Sequence, residues 1–540
     1  MNQDVPPLDR AAIERGLRAA FDLMRSGRLD EAEISIRRLQ QAAPIVAVSL
    51  LACDIAEAKS GPRAALEVLA AAIARHGARG DLLLRRAQLL VPLMERAEAV
   101  QTARQAAAAS PGDPRILQGA ASVIMVHGDP AEAKPLLQRL CELLPGHPAA
   151  LYETALCLFY LNETDTAAQL LDQVLSLAPG MGTAMHVRAH LRTQSQEANH
   201  VEDLRQRLQR TDLALNDRIL ANFALAKELE DVGRHAESFA ALATANRLKR
   251  GTLQFDVDDE VQAMQEVMAT YTREALAGIP DGCPESGPIF IVGLPRTGTT
   301  LVERILATGP DTASIGEAME FPQKMIALAE ETAARQPVAG ENLLQASLRM
   351  DFAELGRRYL DAVRPMARGR SRTIDKLPFN FRYCGLIHKA LPNARIVHLM
   401  RDPMDTCYAV YKTVFINMYH FSYRLDELAE FYVAYRRTMD HWHRVLPGVI
   451  YDVSYERLVA DPEGEARRLL EWCGLPWHAG ALDFHRSAAA STTASSAQVR
   501  KPIYRSSVAK WRNVADQMQP VLQRLAAAGL VDAEGNALPR

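Results

Sequence analysis

Small residues recur along the first third of the chain with a near-constant period, and this pattern predicts repeated pairs of helices. A first series, spaced by 33 or 34 residues, comprises Ala20, Cys53, Ala87, Ala121 and Ala155. A second series lies twelve residues after each member of the first and comprises Ala32, Ala65, Ala99, Ala133 and Ala167. A small side chain on each helix lets two backbones cross closely, with a turn between them. The pattern predicts about five helix–turn–helix repeats between residues 12 and 180.

A different pattern appears in the second half of the chain. The apolar run from Pro288 to Val292 predicts a strand, and a helical pattern begins at Thr299. Between them lies a turn from Gly293 to Gly298 that contains Arg296. In a strand, glycine loop and helix of this kind, successive backbone N–H groups and the positive end of the helix dipole point at one anion. The sequence therefore predicts an anion site at this loop, with Arg296 as its cation.

The loop departs from that of a nucleoside triphosphatase. Gly293 and Gly298 have the G-x4-G spacing of a P-loop, but Thr299 stands where the P-loop carries its Lys. That Lys reaches the β- and γ-phosphates, so its absence argues against ATP or GTP hydrolysis. A P-loop kinase of a small molecule stays open as an alternative. It is disfavoured by Thr299 and by the lack of an acidic cluster in the sequence that would bind a divalent metal, Asp402 being the one Walker-B-like candidate.

The charge balance excludes a broad polyanion-binding surface. The 540 residues include 62 Lys and Arg against 65 Asp and Glu, a formal net charge of −3, so we expect neither nucleic acid nor an anionic membrane as a partner. Hydrophobic residues make up 48% of the chain and charged residues 24%, which is typical of a globular protein. The seven cysteines form no C-x-x-C pair, which favours a reducing cytoplasm over a disulfide framework or a zinc knuckle. Neither a signal peptide nor a membrane span is predicted.

The period of the first half resembles that of the tetratricopeptide repeat family, which also has small residues at two positions and a closing proline, here Pro111, Pro145 and Pro179. A sixth repeat begins at Ala189 and loses the pattern, and the spacing returns within residues 221–250. The resemblance implies a helical solenoid whose concave face commonly holds an extended peptide. We therefore expect a peptide or protein acceptor to bind there; a stalk, or the interface of a homodimer, is the alternative.

Two motifs of the second half resemble those of sulfotransferases that use 3′-phosphoadenosine 5′-phosphosulfate (PAPS). Residues 295–300 look like the family's 5′-phosphosulfate loop. Arg401, directly after the strand-like run 395–400, looks like its 3′-phosphate motif. The alternative reading is that Arg401 and Asp402 end a strand and cap a helix. Residues 496–511 resemble the closing segment of the tyrosylprotein sulfotransferase branch, and a solvated tail is the alternative there.

This resemblance implies PAPS as co-substrate and no metal cofactor. The expected cofactor-binding residues are Arg296, Thr297, Gly298, Thr299, Thr300, Arg401, Tyr455, Arg500, Lys501 and Lys510. One departure is Ala409, where the family normally has a Ser that contacts the 3′-phosphate. Losing that hydroxyl is expected to weaken binding by about 1.5–3 kcal/mol unless Lys412 or Thr413 compensates. Ala409 thus keeps open a second alternative, an inactive sulfotransferase-like protein that binds partners.

Sulfuryl transfer needs a base for the acceptor hydroxyl and a cation on the leaving side. Glu317, in a Gly-Glu pair where the family places its catalytic carboxylate, is the expected base, with Glu320 as the alternative. Lys376 matches the Lys of the family's Asp/Lys-Pro segment and is expected to hold the transferring group, while Ser496 adds a hydrogen bond. The alternatives are that Glu317 has a structural role and that Lys376 is a surface residue. Because a sulfuryl group carries less charge than a phosphoryl group, no divalent metal is demanded.

The sequence therefore predicts an all-α tetratricopeptide solenoid followed by an α/β P-loop-like domain with a central parallel sheet, the sulfotransferase fold. The predicted parts are the solenoid at 1–250, a helix and linker at 251–287 and the sulfotransferase domain at 288–540. We expect a cytoplasmic enzyme that transfers the sulfuryl group from PAPS to an acceptor hydroxyl. Three acceptors stay open: a protein tyrosine bound with help from the solenoid, a carbohydrate or a small phenol. The oligomeric state also stays open.

Overall fold

The computed structural model describes residues 9–93, 95–415, 418–484 and 503–539. The chain forms two compact units, one ending at Leu177 and the other beginning at Ala178. The described part of the first unit forms five consecutive pairs of helices: α1 (Arg10–Arg25) and α2 (Leu29–Ala42), α3 (Val46–Ser60) and α4 (Pro62–His76), α5 (Gly80–Leu90) and α6 (Arg96–Ala109), α7 (Pro114–His127) and α8 (Pro130–Leu143), α9 (Pro148–Tyr160) and α10 (Thr164–Leu177).

The two series of small residues lie in the core of these helix pairs. All ten side chains are 0% exposed, as close helix crossings require. Between α3 and α4, Cys53 Sγ donates to the carbonyl of Ala65 at 3.5 Å, so the two positions of one repeat are directly opposed. Gly61 separates these helices with φ +84°, a left-handed conformation that favours glycine. The predicted helical-repeat architecture is confirmed.

The second unit begins with further helices: α11 (Gly182–His190), α12 (Val201–Leu208), α13 (Leu215–Asp231), α14 (His235–Arg250), α15 (Val257–Thr270) and α16 (Arg273–Ala277). Helix α12 has only eight residues, which accounts for the lost pattern of the sixth repeat. The spacing returns where α13 and α14 cross, since Ser238 Oγ donates to the carbonyl of Ala226 at 2.6 Å.

A parallel sheet with strand order β2-β3-β1-β4-β5 follows. Its strands are β1 (Ile289–Gly293), β2 (Thr312–Gly316), β3 (Arg372–Asp375), β4 (Arg395–Met400) and β5 (Ile450–Ser454). The helices around it are α17 (Thr299–Ala307), α18 (Glu320–Arg335), α19 (Leu343–Ser347), α20 (Phe352–Val363), α21 (Cys384–Ala390), α22 (Pro403–Tyr411), α23 (Leu425–Val445), α24 (Tyr455–Ala460), α25 (Pro462–Trp472) and α26 (Gln519–Ala527). On one face of the sheet Ile291, Val397 and Leu399 pack with Ile305 of α17 and Leu469 of α25. The predicted central parallel sheet is confirmed.

No helix among the described residues is both long enough and apolar enough to cross a membrane.

Every strand of the sheet leads at its carboxyl end into a residue of the predicted site. The loop around Arg296 follows β1, Glu317 follows β2 and Lys376 follows β3. Arg401 follows β4, and Tyr455 follows β5. In a parallel sheet these ends share one edge, which is the usual ligand-binding edge of an open α/β sheet. The topology therefore gathers residues that are up to about 160 positions apart in the sequence.

Candidate active site

The loop between β1 and α17 requires glycine at its end. Gly298 has φ +106°, and a Cβ there would lie 2.7 Å from Cδ2 of Tyr455, so the tyrosine ring packs directly on the loop. Arg296 has φ +67°. A left-handed conformation costs a non-glycine residue about 1 kcal/mol or more and is found preferentially at functional sites. The loop thus has the local strain of a binding loop.

Three threonines line the turn into α17. All three residues, Thr297, Thr299 and Thr300, are buried. Thr297 Oγ1 donates to the carbonyl of Leu294 at 2.8 Å and fixes the turn. The backbone N–H groups of Thr299 and Thr300 belong to the first turn of the helix, where no intrahelical acceptor exists. They are therefore positioned to donate to an anion held at the loop.

Arg401, at the end of β4, turns its side chain toward this loop. Its guanidinium donates to the carbonyl of Arg296 at 2.9 Å and to that of Ser507 at 2.6 Å, and it lies 4.9 Å from the centre of the Tyr455 ring. Its Nε is buried and has no hydrogen-bond partner among the described residues. Burial, and then the nearby Arg401 cation, lower the pKa of Arg296 to about 10. Two neighbouring, partly buried guanidinium groups favour the binding of an anion.

Asp402, the next residue, has a different role. Its carboxylate accepts from the N–H of Asp405 at 2.9 Å and caps α22. Burial raises the pKa of Asp402 to about 6. The capping interpretation of this residue pair therefore holds for Asp402, whereas the Arg401 side chain faces the anion loop.

The described part of the closing segment, residues 503–511, contacts α22. The carboxylate of Asp405 accepts from the N–H of Ala509 at 2.5 Å and from that of Trp511 at 3.1 Å. Trp511 is 3% exposed. Lys510 lies between these two anchored residues, so the contact with Asp405 holds it beside α22. The described part of this segment is thus packed against the domain rather than forming a solvated tail.

Lys376 is buried at the end of β3 between two carboxylates. Its Nζ donates to Oε1 of Glu317 at 2.5 Å and lies 3.8 Å from Oε2 of Glu303. The Lys376 side chain is 1% exposed, and that of Glu317 is 38% exposed. Burial acts to lower the pKa of Lys376, but the carboxylates of Glu303 and Glu317 outweigh it, so the pKa lies above its ordinary value. Lys376 therefore keeps its proton, and Glu317 is the member of the pair that is accessible from solvent.

Glu230 belongs to a helix that precedes the sheet in the chain, and its carboxylate contacts residues at the end of α22. Glu230 of α13 accepts from Lys412 Nζ at 2.7 and 2.8 Å and from the hydroxyl of Tyr408 at 3.1 Å. Burial acts to raise the pKa of Glu230, but the cations of Lys412 and then Lys510 bring it down to about 2. Burial lowers the pKa of Lys412, and the neighbouring cations of Lys510 and Arg296 act in the same direction. Glu230 thus balances the charges of Lys412 and Lys510 beside the anion site.

Helix α14 forms hydrogen bonds with α22 and α23. Asn246 Nδ2 donates to the carbonyl of Tyr411, the last residue of α22, at 3.0 Å. Arg250 donates to both carboxylate oxygens of Glu427 on α23 at 2.8 Å. The helices α13 and α14 are therefore attached by polar contacts to the helix that follows Arg401.

Ala409 is buried on α22, two residues before Tyr411. Of the two residues expected to compensate for its missing hydroxyl, Thr413 donates through Oγ1 to the carbonyl of Ala409 at 2.9 Å. Lys412 is bonded to Glu230. In this conformation the hydroxyl proton of Thr413 is used in a hydrogen bond to the backbone. The positive charge of Lys412 is partly offset by Glu230.

The sheet edge brings together the described members of the predicted site, namely residues 296–300, Glu317, Lys376, Arg401, Tyr455 and, through the closing segment, Lys510. Ser496, Arg500 and Lys501 lie outside the described residues. Glu320, the alternative base, is 3% exposed at the start of α18, and its charge contributes to a raised pKa of Tyr359 after burial and Asp375. Sequence reasoning missed Glu303 and Glu230. No motif marks either, although Glu303 lies on the helix that leaves the anion loop.

Comparison with protein families matches both parts of the chain. Residues 288–479 match the model of the sulfotransferase family. Residues 127–191 match a model of the tetratricopeptide repeat. The chain therefore carries a sulfotransferase-family domain together with tetratricopeptide repeats.

Three relatives illustrate the range of similar proteins. An uncharacterized protein of Aquifex aeolicus (strain VF5) is 34% identical over 315 residues, which cover 57% of this chain and 41% of that protein. Protein-tyrosine sulfotransferase A of Caenorhabditis elegans is 24% identical over 262 residues, 45% of this chain and 68% of that protein. The omega-hydroxy-beta-dihydromenaquinone-9 sulfotransferase of Mycobacterium bovis is 30% identical over 121 residues, 20% of this chain and 30% of that protein. The chain thus spans less than half the length of the Aquifex relative.

Proposed function

We propose that this protein is a PAPS-dependent sulfotransferase that transfers a sulfuryl group to an acceptor hydroxyl. The observation that carries the proposal is the pair of Lys376 and Glu317, 2.5 Å apart, on the sheet edge that also holds the anion loop of a sulfotransferase-family domain. A buried cation for the leaving side and an accessible carboxylate for the acceptor side are the two groups that this transfer needs.

The residues at the loop fit the two charged ends of PAPS. Residues 296–300 would hold the 5′-phosphosulfate through backbone N–H groups and the positive end of α17. Arg401, whose Nε has no hydrogen-bond partner within the described ranges, would hold the 3′-phosphate. Tyr455 and Lys510 would lie beside it, and Arg500 and Lys501 are proposed to complete this side. When bound, PAPS supplies the activated sulfuryl group.

The proposed chemistry uses the Lys376 and Glu317 pair directly. Glu317 takes the proton of the acceptor hydroxyl as it attacks. Lys376, protonated because its pKa is raised, places a positive charge where negative charge develops on the leaving oxygen. Glu303, which accepts a hydrogen bond from Ser314, holds Lys376 from the other side while Glu317 turns to the acceptor. Ser496 is proposed to donate a hydrogen bond at the same centre.

The acceptor that we propose is a tyrosine of a cytoplasmic protein, presented with help from the repeat region. One support is the similarity to a protein-tyrosine sulfotransferase over 45% of the chain. Another is an aromatic group near the base. Burial, and then the Glu317 carboxylate, raise the pKa of Tyr419, whose ring centre lies 4.7 Å from those of Phe379 and Phe415. Edge-to-face aromatic walls of this kind suit an aromatic ring.

A small-molecule acceptor is the second candidate. The Mycobacterium bovis relative, 30% identical over 121 residues, is named for a hydroxylated menaquinone. Incubation with radiolabelled PAPS and a cell lysate separates the two candidates. Label recovered as sulfotyrosine after protein hydrolysis supports the protein acceptor, and label in extracted lipid or small metabolites supports the second candidate. Binding of adenosine 3′,5′-bisphosphate without label in any fraction contradicts the transfer reaction, and preference for ATP with Mg²⁺ contradicts the cofactor.

The base assignment is tested with a matched pair of variants, Glu317→Gln and Glu320→Gln. We expect the first to lower turnover by about 100-fold or more, the usual contribution of a general base, with unchanged binding of adenosine 3′,5′-bisphosphate. Full turnover by Glu317→Gln, together with its loss in a folded Glu320→Gln, would move the role to Glu320.

A further inference from the structure

Two histidines and an aspartate meet on the sheet face opposite α17. His398 alternates along β4 with Val397 and Leu399, which pack on the α17 side, so its side chain lies on the other face. The register of β4 and β5 pairs His398 with Asp452. His443 reaches the same point from the last turns of α23. None of these three residues has a place in the proposed transfer chemistry.

The polar atoms of the cluster converge on one carboxylate oxygen. Nδ1 of His398 lies 2.7 Å from Oδ1 of Asp452, and Nε2 of His443 lies 3.1 Å from the same oxygen. One ligand atom from each residue lies within 4.8 Å of the other two. Donor atoms bound at about 2.1 Å to a tetrahedral ion are about 3.4 Å apart, so small side-chain movements would open the cluster around an ion.

The surroundings of His398 resemble those of a metal-binding histidine. Nε2 of His398 lies 2.5 Å from the hydroxyl of Tyr435, and a metal-bound imidazole usually has its second nitrogen held by such a partner. The His398 side chain is 0% exposed, whereas those of His443 and Asp452 are 28% and 26% exposed. The cluster is therefore anchored on the buried side and open to solvent on the other, where a water ligand has room.

We propose that His398 Nδ1, His443 Nε2 and a carboxylate oxygen of Asp452 form a site for a divalent transition-metal ion such as Zn²⁺, with water as fourth ligand. Imidazole and carboxylate ligands in this number are those that Zn²⁺ takes in proteins. Each nitrogen that now donates to Asp452 gives up that proton to bind the ion. A neutral imidazole that binds the ion through one nitrogen carries its proton on the other nitrogen. For His398 that other nitrogen is Nε2, which faces the Tyr435 hydroxyl.

The ion would act on the fold rather than on the transfer reaction. It would join α23 to β4 and β5, the strands that lead into Arg401 and Tyr455. Since a metal that binds only the folded chain stabilises it, the site predicts a Zn²⁺-dependent rise in melting temperature.

The test uses the full chain without an affinity tag, stripped with EDTA and titrated with Zn²⁺ by calorimetry and with Co²⁺ by absorption. We expect one ion per chain, the absorption of a tetrahedral nitrogen and oxygen site, and a higher melting temperature with Zn²⁺. Asp452→Asn and His443→Gln are each expected to weaken binding by at least tenfold and to abolish the thermal shift. Asn can still accept from both histidines, so Asp452→Asn keeps the fold.

The matched control is His147→Gln, an exposed histidine of the first unit, which is expected to bind Zn²⁺ as wild type does. Tyr435→Phe removes the outer partner of His398 and is expected to weaken binding by about 10- to 100-fold while leaving all three ligands. Three results would overturn the site: no stoichiometric binding by wild type, unchanged affinity in both Asp452→Asn and His443→Gln, or a thiolate-to-Co²⁺ charge-transfer band, which would assign the ion to cysteine.

Discussion

Glu230→Gln is expected to destabilise the second unit by about 3 kcal/mol at neutral pH, because it removes the carboxylate that balances Lys412. The Glu230 side chain is 14% exposed, and its carboxyl has a pKa of about 2 against an ordinary value of 4.5. At about 1.4 kcal/mol for each tenfold change in proton affinity, this difference corresponds to about 3 kcal/mol. The same change leaves Lys412 and Lys510 without that countercharge, so we expect tighter binding of adenosine 3′,5′-bisphosphate alongside lower stability.

The pH dependence has a definite sign. The pKa of Glu230 is lowered in the folded chain, so its contribution to stability is fully present above the ordinary value of 4.5 and is lost as the pH falls toward about 2. The stability difference between wild type and Glu230→Gln is therefore expected to shrink as the pH is lowered through this range.

Urea unfolding followed by tryptophan fluorescence measures the effect, because all four tryptophans, Trp442, Trp472, Trp477 and Trp511, lie in the second unit. Glu237→Gln, on the neighbouring helix, is the matched control. Its carboxylate is 48% exposed, and its loss is expected to change stability far less than the loss of Glu230 does. A Glu230→Gln variant as stable as this control would refute the reasoning. So would simple additivity with Lys412→Met, since a buried pair predicts that the double variant is less destabilised than the sum.

Three other changes test separate parts of the structure. Ala409→Ser is expected to tighten binding of adenosine 3′,5′-bisphosphate by about tenfold or more, the effect of one hydrogen bond to a charged group, and calorimetry with Ala409→Val as a control shows whether the hydroxyl is responsible. Gly298→Ala is expected to displace the Tyr455 ring and to lower stability by about 1–3 kcal/mol with loss of anion binding; equal affinity in the variant would contradict a role for that close contact. Ala99→Leu, at a 0% exposed helix crossing, is expected to lower stability by about 1–3 kcal/mol, whereas Ala108→Leu on the exposed side of the same helix is expected to be neutral in thermal unfolding.

Local patterns were sufficient to predict the repeats and the strand, loop and helix at Arg296. Small residues every 34 positions predict a helix pair, and a glycine loop after an apolar run predicts a strand and a turn. Each of these structures forms from residues that lie within a few tens of positions of one another. The sheet edge could also be predicted, because Arg401 and Lys376 each follow a strand-like run. Tertiary packing, not local pattern, brought Glu303 and Glu230 to the site, and neither stands at a position that any motif distinguishes.

Two further features of the structure could not be predicted from local sequence patterns. His398, His443 and Asp452 become neighbours only through the β4 and β5 register and the length of α23. The single helix predicted within residues 251–287 is divided into α15 and α16 in the structure, because Thr272 Oγ1 accepts from the N–H of Ala275 at 3.2 Å and starts a new helix. A single side-chain cap of this kind is easily overlooked in a continuous apolar pattern.

The attachment of α13 and α14 changes where the protein can be divided for expression. A fragment that starts at residue 251, after the repeat-like helices, would lose the partners of Lys412 and Glu427 and the hydrogen bond to the end of α22. It would present a bare lysine and an exposed apolar helix face, and we expect it to be insoluble or poorly folded. A fragment that starts at Ala178 keeps all three contacts. The smallest unit for biochemical work is therefore longer than the sulfotransferase match by more than a hundred residues.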